Sequence, residues 1–409
     1  MSTDYLSPGR VASAPAATPA LGILASTLVH PAGHGPAALW EAVAQGRTGL
    51  RANDLAGCDL PCWIGAVPGV DDPRLAAQLG PWDCRNHRLA WLALQDPAFH
   101  AAVAAARQRH GAHRVGLLLG TSTSGIGSTE QAYAQRKASG AWPADFAYRR
   151  THAVDALCRF AAETLGVQGP MATLSTACSS SAKVFPLAQR WIACGVVDAV
   201  VVGGADSLCL STLHGFNALQ LLSPEICRPF DAGRKGISIG EAAGFMLVEA
   251  RPAAVRVSGS GESSDAWHMS TPHPAGEGAS AAMRMALGQA GLAPGDIGWV
   301  NAHGTATPAN DRSEAAALAA VFGVAGVPVS STKGVTGHAL AAAGIVEAVI
   351  TASAVEHGVL PPSANLHEPD PSLALDVVRE LRGTPLRHAM SNNFGFGGSN
   401  CALVFSAGD

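Results

Sequence analysis

Cys178 stands in the run Ser175 to Ala182, STACSSSA, between the apolar stretch MATL and a long helical pattern. A thiol attacks as its thiolate, and the start of a helix favours that form through unpaired N–H groups and the positive end of the dipole. The small residues on either side permit a sharp strand-to-helix elbow that projects a nucleophile, and the next backbone N–H can then help to bind an oxyanion. An isolated cysteine on a core helix would read instead as a small buried residue, so Cys178 gains meaning only with partners.

Two histidines supply them. His303 follows an apolar segment in WVNAHGTATP, and His338 lies in STKGVTGHALAAAG. Both positions read as strand ends, where α/β folds place ligands. Loss of carbon dioxide from a malonyl thioester leaves an enolate, and two neutral imidazoles can donate hydrogen bonds to its oxygen without a full charge. Thr305 and Thr307 offer hydroxyls along the same wall, suited to the amides of a pantetheine arm.

Lys333, five residues before His338, stands in an apolar neighbourhood, and a buried lysine needs a partner. The expected mate is Glu314, on a helix beginning near Asn310 and Asp311. Such a pair orients the histidines, whether or not it has any part in catalysis. In NNFGFGGSN, residues 392–400, Phe394 and Phe396 sit among Gly395, Gly397 and Gly398. Glycines give a tight or moving loop there, with Phe396 as a gate over an acyl pocket, its N–H as an oxyanion donor and Gly397 beside the substrate. Taken alone, the segment is an ordinary strand-entry turn.

These loops need a frame of alternating strands and helices. Ala20 to Val29 reads as a strand and Pro36 to Ala44 as a helix ended near Gly46; Arg114 to Gly120 and Asp198 to Gly204 read as buried strands. The stretches from Met171 and from Val327 repeat one design of strand, small-residue turn and small-faced helix. The pattern predicts an α/β fold with a largely parallel sheet in two duplicated halves, residues 20–255 with the nucleophile and 256–409 with the histidines. The 409 residues exceed what one hydrophobic core holds, roughly 250–300 residues. Residues 1–19, rich in Ala, Pro and Ser, are expected to form a flexible tail without the features of a secretory signal.

A net charge of −4, with no dense Lys/Arg cluster, excludes a nucleic-acid partner. Nine scattered cysteines lack the spacing of a disulfide framework or a zinc site and predict reduced thiols in a cytosol, with no metal. Cys58 and Cys62 are expected in a surface loop. Ala339 to Val355 is apolar but short for a bilayer span and contains Glu347, so a buried central helix is expected and no membrane span.

The ordered set TACSSSA, NAHGTATPAND, SSTKGVTGHALAAAG and NNFGFGGSN resembles the elongating, Cys-His-His β-ketoacyl-acyl-carrier-protein synthases of the thiolase-like fold. The likeness runs over nearly the whole chain from about Ala20 and includes CRPFDAGRKGISIGEAA and SSDAWHMSTP. It implies a five-layered α-β-α-β-α architecture and a dimer across the first half, either a homodimer or a heterodimer with a related subunit. It also implies that Cys178 accepts an acyl chain from a carrier protein, that His303 and His338 promote malonyl decarboxylation, and that Lys333, Phe396, Thr305 and Thr307 serve them. Asn301 and Glu347 follow as buried supports. The chain needs no cofactor of its own, because the phosphopantetheine arm belongs to the acyl carrier protein.

Lys183 in place of a frequent histidine, the SSS after the thiol and TSTSGIG from Thr121 resemble synthases of specialised polyene or polyketide pathways, including bacterial aryl polyene systems. A non-condensing, chain-length-factor-like subunit is the first alternative; the intact nucleophile argues against it. A cysteine hydrolase or thiolase with unrelated substrates is the second, which the paired histidine motifs disfavour.

Overall fold

Strands in which every second residue is apolar on each face need cover on both sides, and ten of them form the frame of the molecule. The structure is a computed structural model that describes residues 18–408 except 73, 74 and 76, so all but the end of the expected tail lies outside the described residues. In the first half, β1 (Leu21–His30), β2 (Val115–Gly120), β3 (Met171–Leu174), β4 (Ala199–Asp206) and β5 (Ala242–Glu249) are ordered β3-β2-β4-β5-β1. In the second, β6 (Val255–Ser264), β7 (Trp299–Asn301), β8 (Pro328–Ser330), β9 (His388–Gly395) and β10 (Ser399–Ala407) are ordered β8-β7-β9-β10-β6.

The two orders are the same when each group is counted from its own first strand, and so are the directions. β2 runs parallel to β3 and β4 as β7 does to β8 and β9. β5 is antiparallel to β4 and β1, as β10 is to β9 and β6. The groups meet where β1 pairs antiparallel with β6, Leu21 opposite Val257 and Gly22 opposite Arg256.

Side-chain alternation then builds five layers. Val200, Val202, Met246 and Val248 face the middle, with Cys401, Leu403 and Phe405 facing it from the other sheet. Between them lie the helices Ser180–Ala193 and Ala343–His357, through Val184, Phe185, Ile345 and Val349. The intervening residues Ala199, Val201, Phe245 and Leu247 pack outward on Leu89, Val103 and Phe160 of three outer helices, and Ala402 and Val404 pack on Met283 and Leu318 of two more. The two central helices touch at Gly344, where a Cβ would lie 2.5 Å from the Ala182 nitrogen. Any side chain at 344 would push the halves apart.

Leu340–His357 is long and apolar enough to cross a membrane, and its place between two sheets accounts for that composition. The expected helix Pro36–Ala44 is present and ends with Gly46 at φ 62°. Cys58 and Cys62, expected in a surface loop, are instead buried to 7% and 5% exposure against Leu208, Leu213 and Ile239. The segment is irregular but covered, and a free cysteine behaves there as a small hydrophobe. All nine cysteines are free.

Candidate active site

The chain leaves β3 at Leu174 and enters the Ser180–Ala193 helix through Ala177, which holds a left-handed φ of 52°. Non-glycine residues rarely adopt that conformation, and here it forms the elbow that carries Cys178. The serines that follow satisfy the turn. Ser179 Oγ donates to the Thr176 carbonyl at 2.9 Å, and Ser180 Oγ donates to the Ala177 carbonyl at 2.6 Å while accepting the Thr176 N–H at 2.9 Å. Ser181 Oγ accepts the Ile345 N–H at 2.9 Å, tying the elbow to the central helix of the other half.

Cys178 Sγ lies 2.9 Å from His338 Nε2. Burial pushes the thiol up to about 12, against the pull of the Lys333 charge and of the Phe396 N–H on the sulfur. Sequence favours activation by the helix start; in the folded chain burial outweighs it, so attack depends on a base in contact, and His338 is that neighbour. The N–H of Ser179, expected to help bind an oxyanion, is turned back onto the Thr176 carbonyl at 3.4 Å. The N–H groups of Phe396 and of Cys178 itself are left for that task. Gly395 brings Phe396 there: a Cβ on Gly395 would lie 2.8 Å from the Thr176 carbonyl oxygen and 3.3 Å from the Cys178 nitrogen.

His303 leaves the end of β7, and its ring centroid is 5.3 Å from that of His338, the planes crossing at 86°. Burial, then the Lys333 charge, drives both imidazoles well below the usual histidine range, so both are neutral at physiological pH. Lys333 Nζ stands 3.4 Å from His303 Nδ1. An ammonium only donates, so Nδ1 carries the lone pair and Nε2–H is the free donor of His303. His338 is held from the backbone, its N–H on the Ser238 carbonyl at 2.8 Å and its carbonyl accepting the Gly240 N–H at 3.0 Å.

Lys333 does not pair with Glu314. Its ammonium donates to Glu347 Oε1 and to the His303 carbonyl, and Glu347 Oε2 accepts Asn393 Nδ2 at 2.6 Å. Glu314 instead accepts the N–H groups of His303 and Gly304, one on each oxygen at 2.8 Å. It reaches from the Pro308–Phe322 helix to the backbone of the histidine turn, while Glu347 projects from the central helix next to Lys333. Burial pushes the Glu314 carboxyl up to about 7, opposed by those two N–H bonds. Burial likewise raises Glu347, opposed first by Lys333. Asn301 acts at one remove, its amide donating to the Glu347 carbonyl at 3.3 Å and to Thr351 Oγ1 at 3.2 Å. Asn393 was not singled out from sequence, although it lies inside the glycine-rich motif, because only its phenylalanines and glycines read as distinctive.

Cys178, His303 and His338 open on a cavity of about 140 Å³. Thr305 and Thr307 line one wall with their hydroxyls 3.1 Å apart, and His268 and Thr271 stand in the same lining. Phe396 and Gly397 close the opposite side, the Phe396 ring 5.4 Å from that of Phe216 and the Gly397 N–H on the Met269 carbonyl at 2.8 Å. Gly397 and Gly398 hold φ of 80° and 75°, as this turn requires. The sulfur and ring nitrogens lie within 4.8 Å of one another, a spacing that one cation could also bridge. The Lys333 ammonium beside His303 opposes a second positive charge there, and we assign no metal.

The family model described as Beta-ketoacyl synthase, N-terminal domain, matches residues 72–254, and that of the C-terminal domain matches residues 254–367. Nodulation protein E of Rhizobium meliloti is 38% identical over 304 residues, 71% of this chain and 75% of its own length. The 3-oxoacyl-[acyl-carrier-protein] synthase 2 of Staphylococcus aureus is 37% identical over 258 residues, 59% of this chain and 64% of its own. A ketosynthase from Xenorhabdus doucetiae, solved in complex with its chain length factor, superposes with a TM-score of 0.86 at 35% identity, over 95% of this chain and 98% of that one. A β-ketoacyl synthase from Burkholderia phymatum STM815 gives 0.85 at 28% identity, over 96% and 100%. Five thiolase-like layers and two matching domain models agree: the chain belongs to the β-ketoacyl synthase family of condensing acyltransferases.

Proposed function

We propose that this chain extends an acyl group by decarboxylative condensation with a malonyl thioester, using Cys178 as the acyl acceptor and His303 and His338 as the decarboxylation pair. The observation that carries the assignment is one sulfur 2.9 Å from His338 Nε2, with a second neutral imidazole 5.3 Å from the first between ring centres. In loading, Cys178 Sγ bonds to the acyl carbon, its proton passes through His338 and the carrier thiol leaves with a proton. The N–H groups of Phe396 and Cys178 face the tetrahedral oxyanion. In the second half, the malonyl carbon–carbon bond breaks, carbon dioxide leaves, and the electron pair becomes an enolate whose oxygen takes hydrogen bonds from the two imidazoles. The enolate carbon then attacks the Cys178 thioester, and the sulfur departs as the thiolate, which takes a proton from solvent because its own has left on the carrier thiol.

Thr305 and Thr307 suit the amides of the pantetheine arm that the acyl carrier protein brings, and no cofactor resident on this chain enters the chemistry. A paired assembly is supported by the free edge of β3, where Met171 is 42% exposed, and by the exposed Tyr133, Trp142 and Tyr148 of the same half. Likeness to a ketosynthase solved with its chain length factor favours a related but different subunit as the partner, and with it a specialised polyene or polyketide pathway. Nine free thiols suit the reducing cytoplasm.

The test is intact mass spectrometry after mixing with an acyl-carrier-protein thioester. The native chain is expected to gain one acyl mass, and Cys178→Ser to gain none in the same interval. An adduct of equal yield on the variant places the acyl group elsewhere and removes the assignment.

A further inference from the structure

Asp206, at the end of β4 and fully buried, accepts six hydrogen bonds. Oδ1 takes the Thr121 hydroxyl at 2.8 Å, the Ser122 N–H at 2.8 Å, and the Thr123 N–H and hydroxyl at 2.9 Å each. Oδ2 takes the Ser122 hydroxyl and the Ala341 N–H, the latter at 2.8 Å. Both segments it grips contain a non-glycine residue in the left-handed region, Ser124 at φ 46° and Leu340 at φ 51°. Such residues hold their conformation only where the surroundings over-determine it. Leu340 and Ala341 come two and three residues after His338.

We propose that Asp206 is a positioning residue for His338. Its carboxylate fixes the Leu340–Ala342 turn on one side of the histidine, as the bonds to Ser238 and Gly240 fix the other, and together they aim Nε2 at the Cys178 sulfur. Thr121, Ser122 and Thr123 form the clamp that holds the carboxylate still. Only an acceptor-only group can serve six donors, since an amide would set its own N–H groups against them. The negative charge also raises the Cys178 thiol, so it opposes rather than assists thiolate formation. A buried anion there is accounted for by geometry.

This inference rests on the proposed decarboxylation, so the native chain must first release carbon dioxide from a malonyl-carrier-protein thioester; its failure to do so defeats that reading, not this one. Given that activity, Asp206→Asn is expected to lower kcat for release by on the order of 10²-fold, the effect of a catalytic group misplaced by about 1 Å, with KM little changed. Ser122→Ala removes the donor that shares Oδ2 with Ala341 and is expected to lower kcat roughly fivefold, the worth of one net hydrogen bond. Thr27→Val removes a buried hydrogen bond outside this network, from Thr27 Oγ1 to the Ala93 carbonyl at 2.7 Å, and is expected to lower the melting temperature comparably while leaving kcat near native. If Asp206→Asn does not fold, the Ser122 and Thr27 variants decide. Equal kcat for those two, losses that track melting temperature across the series, or a loss confined to KM overturns the proposal.

Discussion

His303→Ala is expected to load an acyl group on Cys178 in near-native yield yet to form β-ketoacyl product slower by on the order of 10²–10³, the usual cost of losing one preorganised oxyanion donor. The asymmetry follows from the geometry. The hydrogen-bonded neighbour of the sulfur is His338, at 2.9 Å, whereas His303 has its Nδ1 turned to Lys333 and its Nε2–H left to donate. Removing the His303 ring leaves the elbow, the Phe396 loop and the thiol–imidazole contact in place. Intact mass for loading and product formation for condensation separate the two steps. Equal losses in both would mean that the histidines do not divide the work in this way.

Lys333→Met is expected to destabilise the fold by about 3–5 kcal/mol, because it leaves the Glu347 carboxylate buried without its cation. The pair is inaccessible, with side-chain exposures of 2% and 3%. Adding Glu347→Gln should restore much of that loss, since a neutral amide can still accept from Asn393 and carries no charge to strand. Adding Glu314→Gln should not, because Glu314 serves the N–H groups of His303 and Gly304 and makes no salt bridge to Lys333. Neither double variant regains condensation, since His303 Nδ1 has lost the ammonium that selects its tautomer. Urea unfolding of the single and double variants checks the pairing. Rescue by the Glu314 change instead would contradict it.

That pairing marks where sequence stops being informative. Cys178, His303 and His338 were legible because each lies in a small-residue or glycine turn next to an apolar strand, a local pattern with a mechanical reason. The strands were legible from their apolar runs, and β2 and β4 start within a residue of the expected positions. Glu314 and Glu347 are both acids on small-residue helices, and which of them faces Lys333 depends on helix rotation and on the contact of the two halves at Gly344. Of the two oxyanion donors expected, the Phe396 N–H does reach the sulfur, whereas the Ser179 N–H does not, since Ala177 turns it inward onto the Thr176 carbonyl. Cys58 and Cys62 looked exposed because their segment has no regular pattern, but cover came from residues about 150 positions away, among them Leu208 and Leu213. Asp206 ends an apolar strand, where a charge is costly, yet nothing local names the loop and the turn that bond it.

Burial keeps the resting thiol protonated and both imidazoles neutral, and Lys333 and Glu347 form a buried ion pair beside them. In the mechanism we propose, decarboxylation falls to the imidazoles and acyl storage to the sulfur. The direct measurement is carbon dioxide release from a malonyl-carrier-protein thioester by Cys178→Ala. Release is expected to continue at a rate comparable to the native chain while condensation is abolished; loss of release together with condensation would contradict the division between sulfur and histidines.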